Sequence, residues 1–243
     1  MRKVPQDLDP AYKDMAIRLL TRQILAESAT SELFGSAIRL GPTWRDQIQQ
    51  AQFTHEEADH VRICAEVLEA LGADVDEILK RRGSAADFFG VAPSGFKSWI
   101  EVAAFNLIGD RAGTFQIRAY HHNSLAAWGE QLSKILRDEA QHQQYGAEQA
   151  VLMCRSPEKR QEMQAIINKV LPPTVKRAFG RLAGEENEYC IKVGLKKLTA
   201  EQVQSRYFES LVPIMEEAGL TFPSFADQGV ELAQSVKEKF HLH

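Results

Sequence analysis

Two short motifs in the sequence combine a carboxylate with an imidazole at helical spacing. Glu57 precedes His60 by three residues, and Glu139 precedes His142 by the same interval. Side chains three positions apart on a helix project from nearly the same face, so both members of a motif can reach one metal ion. The chemistry that this pattern indicates is therefore metal binding between two helices.

The spacing alone is weak evidence, because a third instance, Glu238 with His241, lies next to His243 and is interpreted as chance. The other two motifs interrupt stripes that are otherwise mostly apolar. The first stripe comprises Phe53, Glu57, His60, Cys64, Val67 and Leu71. The second comprises Leu132, Ile135, Glu139, His142, Gly146 and Met153. Burial of an ionised carboxylate in such a stripe is costly unless the group is paired or bound to metal.

Two further acids occupy matching positions on the preceding helices. Glu27 lies 30 residues before Glu57, and Asp110 lies 29 residues before Glu139. The midpoint of each interval falls in a predicted hairpin turn. Each acid is then about 22 Å along its helix from a turn, at about 1.5 Å per residue. All four helices would therefore present a ligand at one level of a bundle.

Four carboxylates and two histidines are the ligand set of di-iron and di-manganese helical bundles. Hard oxygen donors with two imidazoles suit iron or manganese better than zinc, which favours Cys and His in a tetrahedral site. The competing interpretation is a bundle whose buried polar residues bond to one another and hold no metal.

Two other acids compete for the same roles. Glu32 lies ~140° around the helix from Glu27 and is expected to face solvent. Glu101 lies ~180° around the helix from Asp110, so the two cannot both face the same site. The hairpin symmetry favours Asp110, and Glu101 remains the weaker alternative.

The elements that must position these residues are predicted to be helices, because apolar residues recur at helical spacing between Gly and Pro breaks. Thr43 and Thr199 are the predicted N-caps of two of them. Asn123 or Ser124 is the predicted N-cap of the fourth long helix. The predicted helices span about 10–40, 44–71, 75–81, 98–120, 124–154, a stretch from 157 that breaks or kinks at 172–173, and 200–219.

The pattern of connections predicts the architecture. Two tight helical hairpins are joined by one connection of more than twenty residues. This is the ferritin-like arrangement, an all-α four-helix bundle with one long crossover. We expect a single domain over residues 1–243, with the core bundle at about 10–155 and additional helices at 156–243.

The composition of the chain argues against several classes of binding partner. With a net charge of −4, the chain lacks the basic excess that is typical of nucleic-acid binding. It has no apolar run of the ~20 residues that a transmembrane helix needs, and its polar N-terminus contains no signal-peptide core. Three scattered cysteines argue against a disulfide framework. We expect a cytoplasmic protein with neither a nucleic-acid nor a membrane partner.

Several residues near the motifs have two interpretations each. Asp138 and Glu56 directly precede the motif glutamates and could accept hydrogen bonds from the histidines, or they could be solvated acids. Gly109, Gly113 and Gly146 could leave space for dioxygen or substrate, or they could allow close helix packing.

In these residues the chain resembles the ferritin-like di-iron oxygenases of the phenylacetyl-CoA epoxidase type, and especially their catalytic subunit. An Asp on the third helix is also similar to that group. The chain is shorter than those catalytic chains and nearer in length to their structural partner. That partner has a degraded ligand set, whereas this chain keeps all six positions. The resemblance spans about residues 10–155 and rests on Glu27, Glu57-Ala58-Asp59-His60, Gly109-Asp110-Arg111-Ala112-Gly113 and Arg137-Asp138-Glu139-Ala140-Gln141-His142.

The resemblance implies a monooxygenase, an oxidoreductase that binds two irons (manganese being the alternative), activates O2 and receives electrons from a separate reductase. Glu57 and Glu139 would be the bridging ligands. The implied metal ligands are Glu27, Glu57, His60, Asp110, Glu139 and His142.

The expected reaction is epoxidation or hydroxylation of a small organic or acyl-CoA-type substrate. Alternatives are an aldehyde-deformylating or N-oxygenating di-iron enzyme, a ferroxidase or other iron-handling protein, and a structural subunit of a multicomponent oxygenase. A homodimer or a hetero-oligomer is expected. The candidate contacts for coenzyme A phosphates are Lys176, Arg177 and Arg181, or Lys192, Lys196 and Lys197.

Overall fold

The computed structural model describes residues 3–81, 95–179 and 182–242. Within these ranges the chain contains helices and no strand, so the predicted all-α, ferritin-like bundle is confirmed. A π-helical segment, Asn106–Asp110, joins the fourth and fifth helices without a break. The helices are α1 (Pro10–Ala37), α2 (Trp44–Ala70), α3 (Val75–Lys80), α4 (Trp99–Phe105), α5 (Arg111–Tyr120), α6 (Ala126–Gly129), α7 (Leu132–Met153), α8 (Pro157–Phe179), α9 (Glu185–Lys192), α10 (Ala200–Ala218) and α11 (Gln234–Phe240).

The first hairpin consists of α1 and α2, which pack against each other along their length. Thr43 caps α2 as predicted: its hydroxyl accepts a bond from the Asp46 amide at 3.2 Å, and the Asp46 carboxylate accepts one from the Thr43 amide at 3.0 Å. This reciprocal pair satisfies two amides that have no partner inside the helix. The α1 helix ends slightly earlier than predicted, because its last turn, Ile38–Leu40, tightens into a 3₁₀ helix.

The second hairpin is formed by α4, α5 and α7, and its turn differs from the prediction. Neither Asn123 nor Ser124 caps the long helix, which begins only at Leu132. The Asn123 side chain instead accepts a bond from the Leu125 amide at 2.8 Å, within the turn. The intervening short helix, α6, places the fully buried Trp128 in the core. Burial of this large side chain explains why the turn folds inward before α7 starts.

The C-terminal helices cover one side of the bundle. Of the break or kink predicted at Pro172-Pro173, the break is wrong, because α8 continues to Phe179. The cost of two interior prolines is offset by the burial of α8 residues, including Leu171 and Val175, in the same core cluster as α4, α5 and α10. The predicted capping box at Thr199 and the end of α10 at Gly219 are both confirmed. Helices α9 and α11 were not predicted, because each is too short to show a clear apolar period.

None of the described helices is both long and apolar enough to cross a membrane. The four helices that carry the motif residues and their matching acids are α1, α2, the α4–α5 run and α7. They pack so that the middle of each contributes buried polar side chains to one interior region.

Gly146 of α7 lies directly against the π-helical segment. A Cβ atom there would lie 2.6 Å from the Cβ of Asn106 and 3.0 Å from the Asn106 carbonyl carbon. Gly146 therefore serves close packing. The space beside Gly109 is filled by the Phe105 ring, 2.8 Å from where a Cβ would stand. At Gly113, apart from its chain neighbours and the backbone of its own helix, no described atom lies within 4 Å of that point.

We predict that Gly146→Ala lowers the free energy of unfolding by about 1–3 kcal/mol, because the added methyl group must push the two helices apart. Gly113→Ala is the matched control: it adds the same methyl group into open space and should be neutral or stabilising by up to about 1 kcal/mol, through helix propensity. Thermal and urea unfolding of both variants measures the difference. An unfolding midpoint for Gly146→Ala at or above that of the wild type would contradict this packing.

Candidate metal centre

Six buried side chains from four helices converge in the middle of the bundle, in two overlapping groups. In each group, one potential ligand atom from every residue lies within 4.8 Å of those from the others. The groups share Glu57 and Glu139, which stand between the two ends. The first group is Glu27, Glu57, His60 and Glu139, and the second is Glu57, Asp110, Glu139 and His142.

Helix geometry explains this convergence. The spacing of three residues within each motif puts Glu57 with His60 on one face of α2, and likewise for the second motif on α7. Glu27 lies on α1. Asp110 ends the π-helical segment, whose wider turn re-aims the side chains that follow it. All six residues that the sequence suggested as ligands are thus brought together; that they bind metal remains a prediction.

Both histidines turn the same ring nitrogen towards the acids. The Nδ1 atom of His60 lies 3.5 Å from an oxygen of Glu27 and 3.5 Å from one of Glu139. The Nδ1 atom of His142 lies 3.3 Å from an oxygen of Glu57 and 3.7 Å from one of Asp110. Each Nδ1 atom therefore lies close to acids of both neighbouring helices.

The opposite ring nitrogens are held by acids on the facing helix. His60 Nε2 lies 3.2 Å from the Asp138 carboxylate, and His142 Nε2 lies 2.9 Å from the Glu56 carboxylate. Because an ionised carboxylate only accepts, each Nε2 carries the proton and donates it. The bond fixes the ring and leaves Nδ1 as the nitrogen that can bind a metal. The interpretation of Asp138 and Glu56 as hydrogen-bond partners is thus confirmed.

Several buried polar atoms of this cluster have no hydrogen-bond partner among the described residues. Buried polar atoms are nearly always paired, and an unpaired one costs about 1–3 kcal/mol. A cation in each of the two groups would satisfy these atoms, so the donor set fits metal ions. The unpaired atoms are both carboxylate oxygens of Glu57, Oδ2 of Asp110, and Nδ1 of His60 and His142.

The pKa shifts within the cluster also indicate a site for a cation. Burial, reinforced by the neighbouring Glu139 carboxylate, raises the pKa of Glu57 well above its usual range. Burial and the nearby Asp110 raise the pKa of Glu139 to about 8. For His60, burial lowers the pKa, but the surrounding acids outweigh it and raise the pKa to about 10. The site thus favours added positive charge, as a cation site must.

Sequence reasoning missed some contacts to these residues. The buried Thr114 hydroxyl lies 2.8 Å from a Glu139 oxygen and 3.0 Å from the Asp110 carbonyl oxygen. Thr114 follows Asp110 by four residues, and this helical spacing could have indicated from the sequence that its side chain lies beside the cluster. Phe53 packs on His142 with ring centroids 4.1 Å apart and gives the site an apolar wall.

The rejected candidates lie elsewhere. Glu32 is exposed, as expected. Glu101 accepts a bond from the Lys97 amide at 2.6 Å at the start of α4, so it does not replace Asp110. Of the cations suggested for coenzyme A, Arg181 lies outside the described residues, and Lys196 donates to Asn187 at 2.6 Å.

Comparison with known proteins gives two matches. The family model described as "Phenylacetic acid catabolic protein" matches residues 3–238. The chain is also 23% identical over 226 residues to one of the subunits of 1,2-phenylacetyl-CoA epoxidase from Escherichia coli (strain K12), an alignment that covers 90% of this chain and 72% of that protein. Both matches extend beyond the four-helix core into the C-terminal helices.

We predict that Glu57→Gln raises the free energy of unfolding of metal-free protein by about 1–2 kcal/mol. The substitution keeps the side-chain shape and removes a buried acid that other acids repel. Glu56→Gln is the matched control, because it weakens the acceptor of the His142 bond and should be neutral or destabilising. Chemical unfolding in the presence of a chelator compares the two. Destabilisation by Glu57→Gln as large as that by Glu56→Gln would contradict the repulsion.

Proposed function

The chain belongs to the phenylacetic acid catabolic protein family, and from this premise we propose that it is a non-haem di-iron oxygenase acting on a small organic or acyl-CoA-type substrate. The observation that carries the proposal is the pair of four-residue groups that share Glu57 and Glu139. Two shared carboxylates between two terminal sets are what a dinuclear centre requires.

In this proposal one terminal acid and one histidine would hold each ion, and Glu57 and Glu139 would be shared by both. Glu27 and His60 would hold the first ion, and Asp110 and His142 the second. Oxygen-rich sites with imidazole suit iron, with manganese as the alternative. When bound, two irons would supply the redox capacity and the Lewis acidity for oxidation by O2.

The protein residues around the ligands fix their orientation. Asp138 holds the His60 ring and is itself held by Lys134, whose Nζ lies 2.9 Å from the same carboxylate. Lys134 also bridges to Asp59 at 2.8 Å. Because these bonds constrain the ring from outside, Nδ1 remains directed at the acids. The His60 ring has therefore already lost the conformational freedom that metal binding would otherwise have to remove.

Water is kept from the site by its surroundings. Phe34 and Phe53 pack on the His142 ring, and both are fully buried. Exclusion of water strengthens electrostatic interactions and limits side reactions of an oxidising centre. The Thr114 hydroxyl can donate its single proton either to Glu139 or to the Asp110 carbonyl oxygen, so it can stabilise Glu139 in its ionised form.

The Escherichia coli relative is one of several subunits of an epoxidase. We therefore propose that this chain works in a hetero-oligomer, with a homodimer as the alternative, and takes electrons from a separate reductase. We further propose a cytoplasmic location and a single domain over residues 1–243.

Metal content tests the centre. Protein from iron-supplemented cells should contain close to two irons (or manganese) per chain, whereas Glu57→Ala and Glu139→Ala should each lose most of it, because each removes a ligand from both ions. The control is Glu32→Ala, which removes an exposed acid near Glu27 and should keep the full metal content. Less than half an ion per chain in the wild type, unchanged in both glutamate variants, would refute the centre.

Substrate-dependent O2 consumption tests the reaction. The reduced, metal-loaded protein should consume O2 faster with acyl-CoA thioesters than with aldehydes or amines. Stimulation by aldehydes alone or by amines alone would replace the proposed reaction with deformylation or N-oxygenation. O2 consumption driven by free Fe²⁺ alone would indicate a ferroxidase.

A further inference from the structure

A buried tryptophan is linked to the candidate centre through one glutamine. The indole Nε1–H of Trp128 donates to the side-chain oxygen of Gln23 at 3.1 Å. The amide nitrogen of Gln23 donates in turn to Oε1 of Glu27 at 3.1 Å. All three side chains are buried. The contact joins the second hairpin turn to the terminal acid of the Glu27–His60 end.

The chemistry of the partners fixes the direction of this relay. The indole nitrogen can only donate, so it must face the oxygen of the Gln23 amide. The amide NH₂ group is then forced towards Glu27, which accepts through Oε1. Gln23 lies four residues before Glu27 on α1, a spacing that places the two side chains side by side. The second oxygen of Glu27 is left facing His60, at 3.5 Å.

Trp128 itself is firmly placed. It lies on the short helix α6, is fully buried, and packs against the Tyr120 ring with centroids 4.9 Å apart. A side chain with so little freedom can orient its partner at low entropic cost. The inward turn that displaced the start of α7 is what brings this indole to α1.

The terminal acid at the other end differs from Glu27 in its hydrogen bonding. Asp110 occupies the position equivalent to Glu27, yet its Oδ2 has no hydrogen-bond partner in the described part of the chain. It also stands at the end of a π-helical segment, which is a less regular backbone than α1. The two terminal acids are therefore oriented to different degrees.

We propose that Trp128 and Gln23 are positioning residues that make the Glu27–His60 end the tighter of the two metal positions, so that the two ions bind in sequence. This inference rests on the proposed dinuclear site. Neither residue touches a metal in this proposal; both act through the orientation of Glu27. Hydrogen-bond partners of metal ligands typically change metal affinity about 10- to 100-fold when they are removed.

Manganese(II) titration of the full chain tests the proposal, with calorimetry for the affinities and electron paramagnetic resonance for the ions. Wild-type protein should show two steps, first an isolated Mn²⁺ signal and then its loss as the second ion couples to the first. Trp128→Phe keeps the ring and removes the donor. It should weaken the first step about 10- to 100-fold, leave the second within about twofold, and merge the two steps.

The chain contains a matched control. Trp99 also donates its indole N–H to a glutamine, Gln149, at 3.1 Å, but neither residue belongs to the two candidate metal groups. Trp99→Phe removes the same kind of bond and should leave both steps unchanged. Gln23→Met removes the amide that connects Trp128 to Glu27 and should reproduce the effect of Trp128→Phe. If one of the two variants does not fold, the other still tests the proposal.

The outcomes separate the two proposals. If wild-type protein binds no Mn²⁺ within the bundle, the proposed function fails. If it binds two ions but the folded Trp128→Phe or Gln23→Met variant matches Trp99→Phe, or loses only the weaker step, the positioning role alone is refuted.

Discussion

The constraint on which this structure depends is the burial of four carboxylates and two imidazoles in one region of a helical bundle. Removal of so many ionisable groups from water is unfavourable unless their charges are balanced. The two histidines balance part of the charge, and burial raises the pKa of Glu57 and Glu139. Both oxygens of Glu57, at the middle of the cluster, have no hydrogen-bond partner within the described ranges of the chain. The surrounding helices therefore hold an arrangement that a bound cation would stabilise and that costs stability without one.

The neighbouring residues serve that arrangement from outside. The two acids that precede the motif glutamates hold the histidine of the opposite motif, so each helix orients the histidine of the other. Gly146 lets α7 approach the π-helical segment closely enough for Asp110 to reach the cluster. The inward second turn places Trp128 against Gln23. Packing and polar contacts are thus arranged around the same six side chains.

Sequence reasoning recovered the long helices and the two Glu-x-x-His motifs because both follow from local periodicity. Glu27 and Asp110 could be identified because hairpins impose equal depths on their two arms. The π-helical segment and the late start of α7 could not be identified, because each depends on tertiary packing: Asn106 against Gly146, and Trp128 in the core. The local rule for Pro172-Pro173 left a break and a kink open, and α8 continues as one helix there because core burial outweighs the cost of the prolines.

Anomalous diffraction at the iron edge from crystals of iron-loaded protein tests the dinuclear centre directly. Two iron peaks are expected inside the bundle, both within ligand distance of Glu57 and Glu139. One should also be coordinated by Glu27 and His60, and the other by Asp110 and His142. No peak among these six side chains, or iron found only at the protein surface, would contradict it.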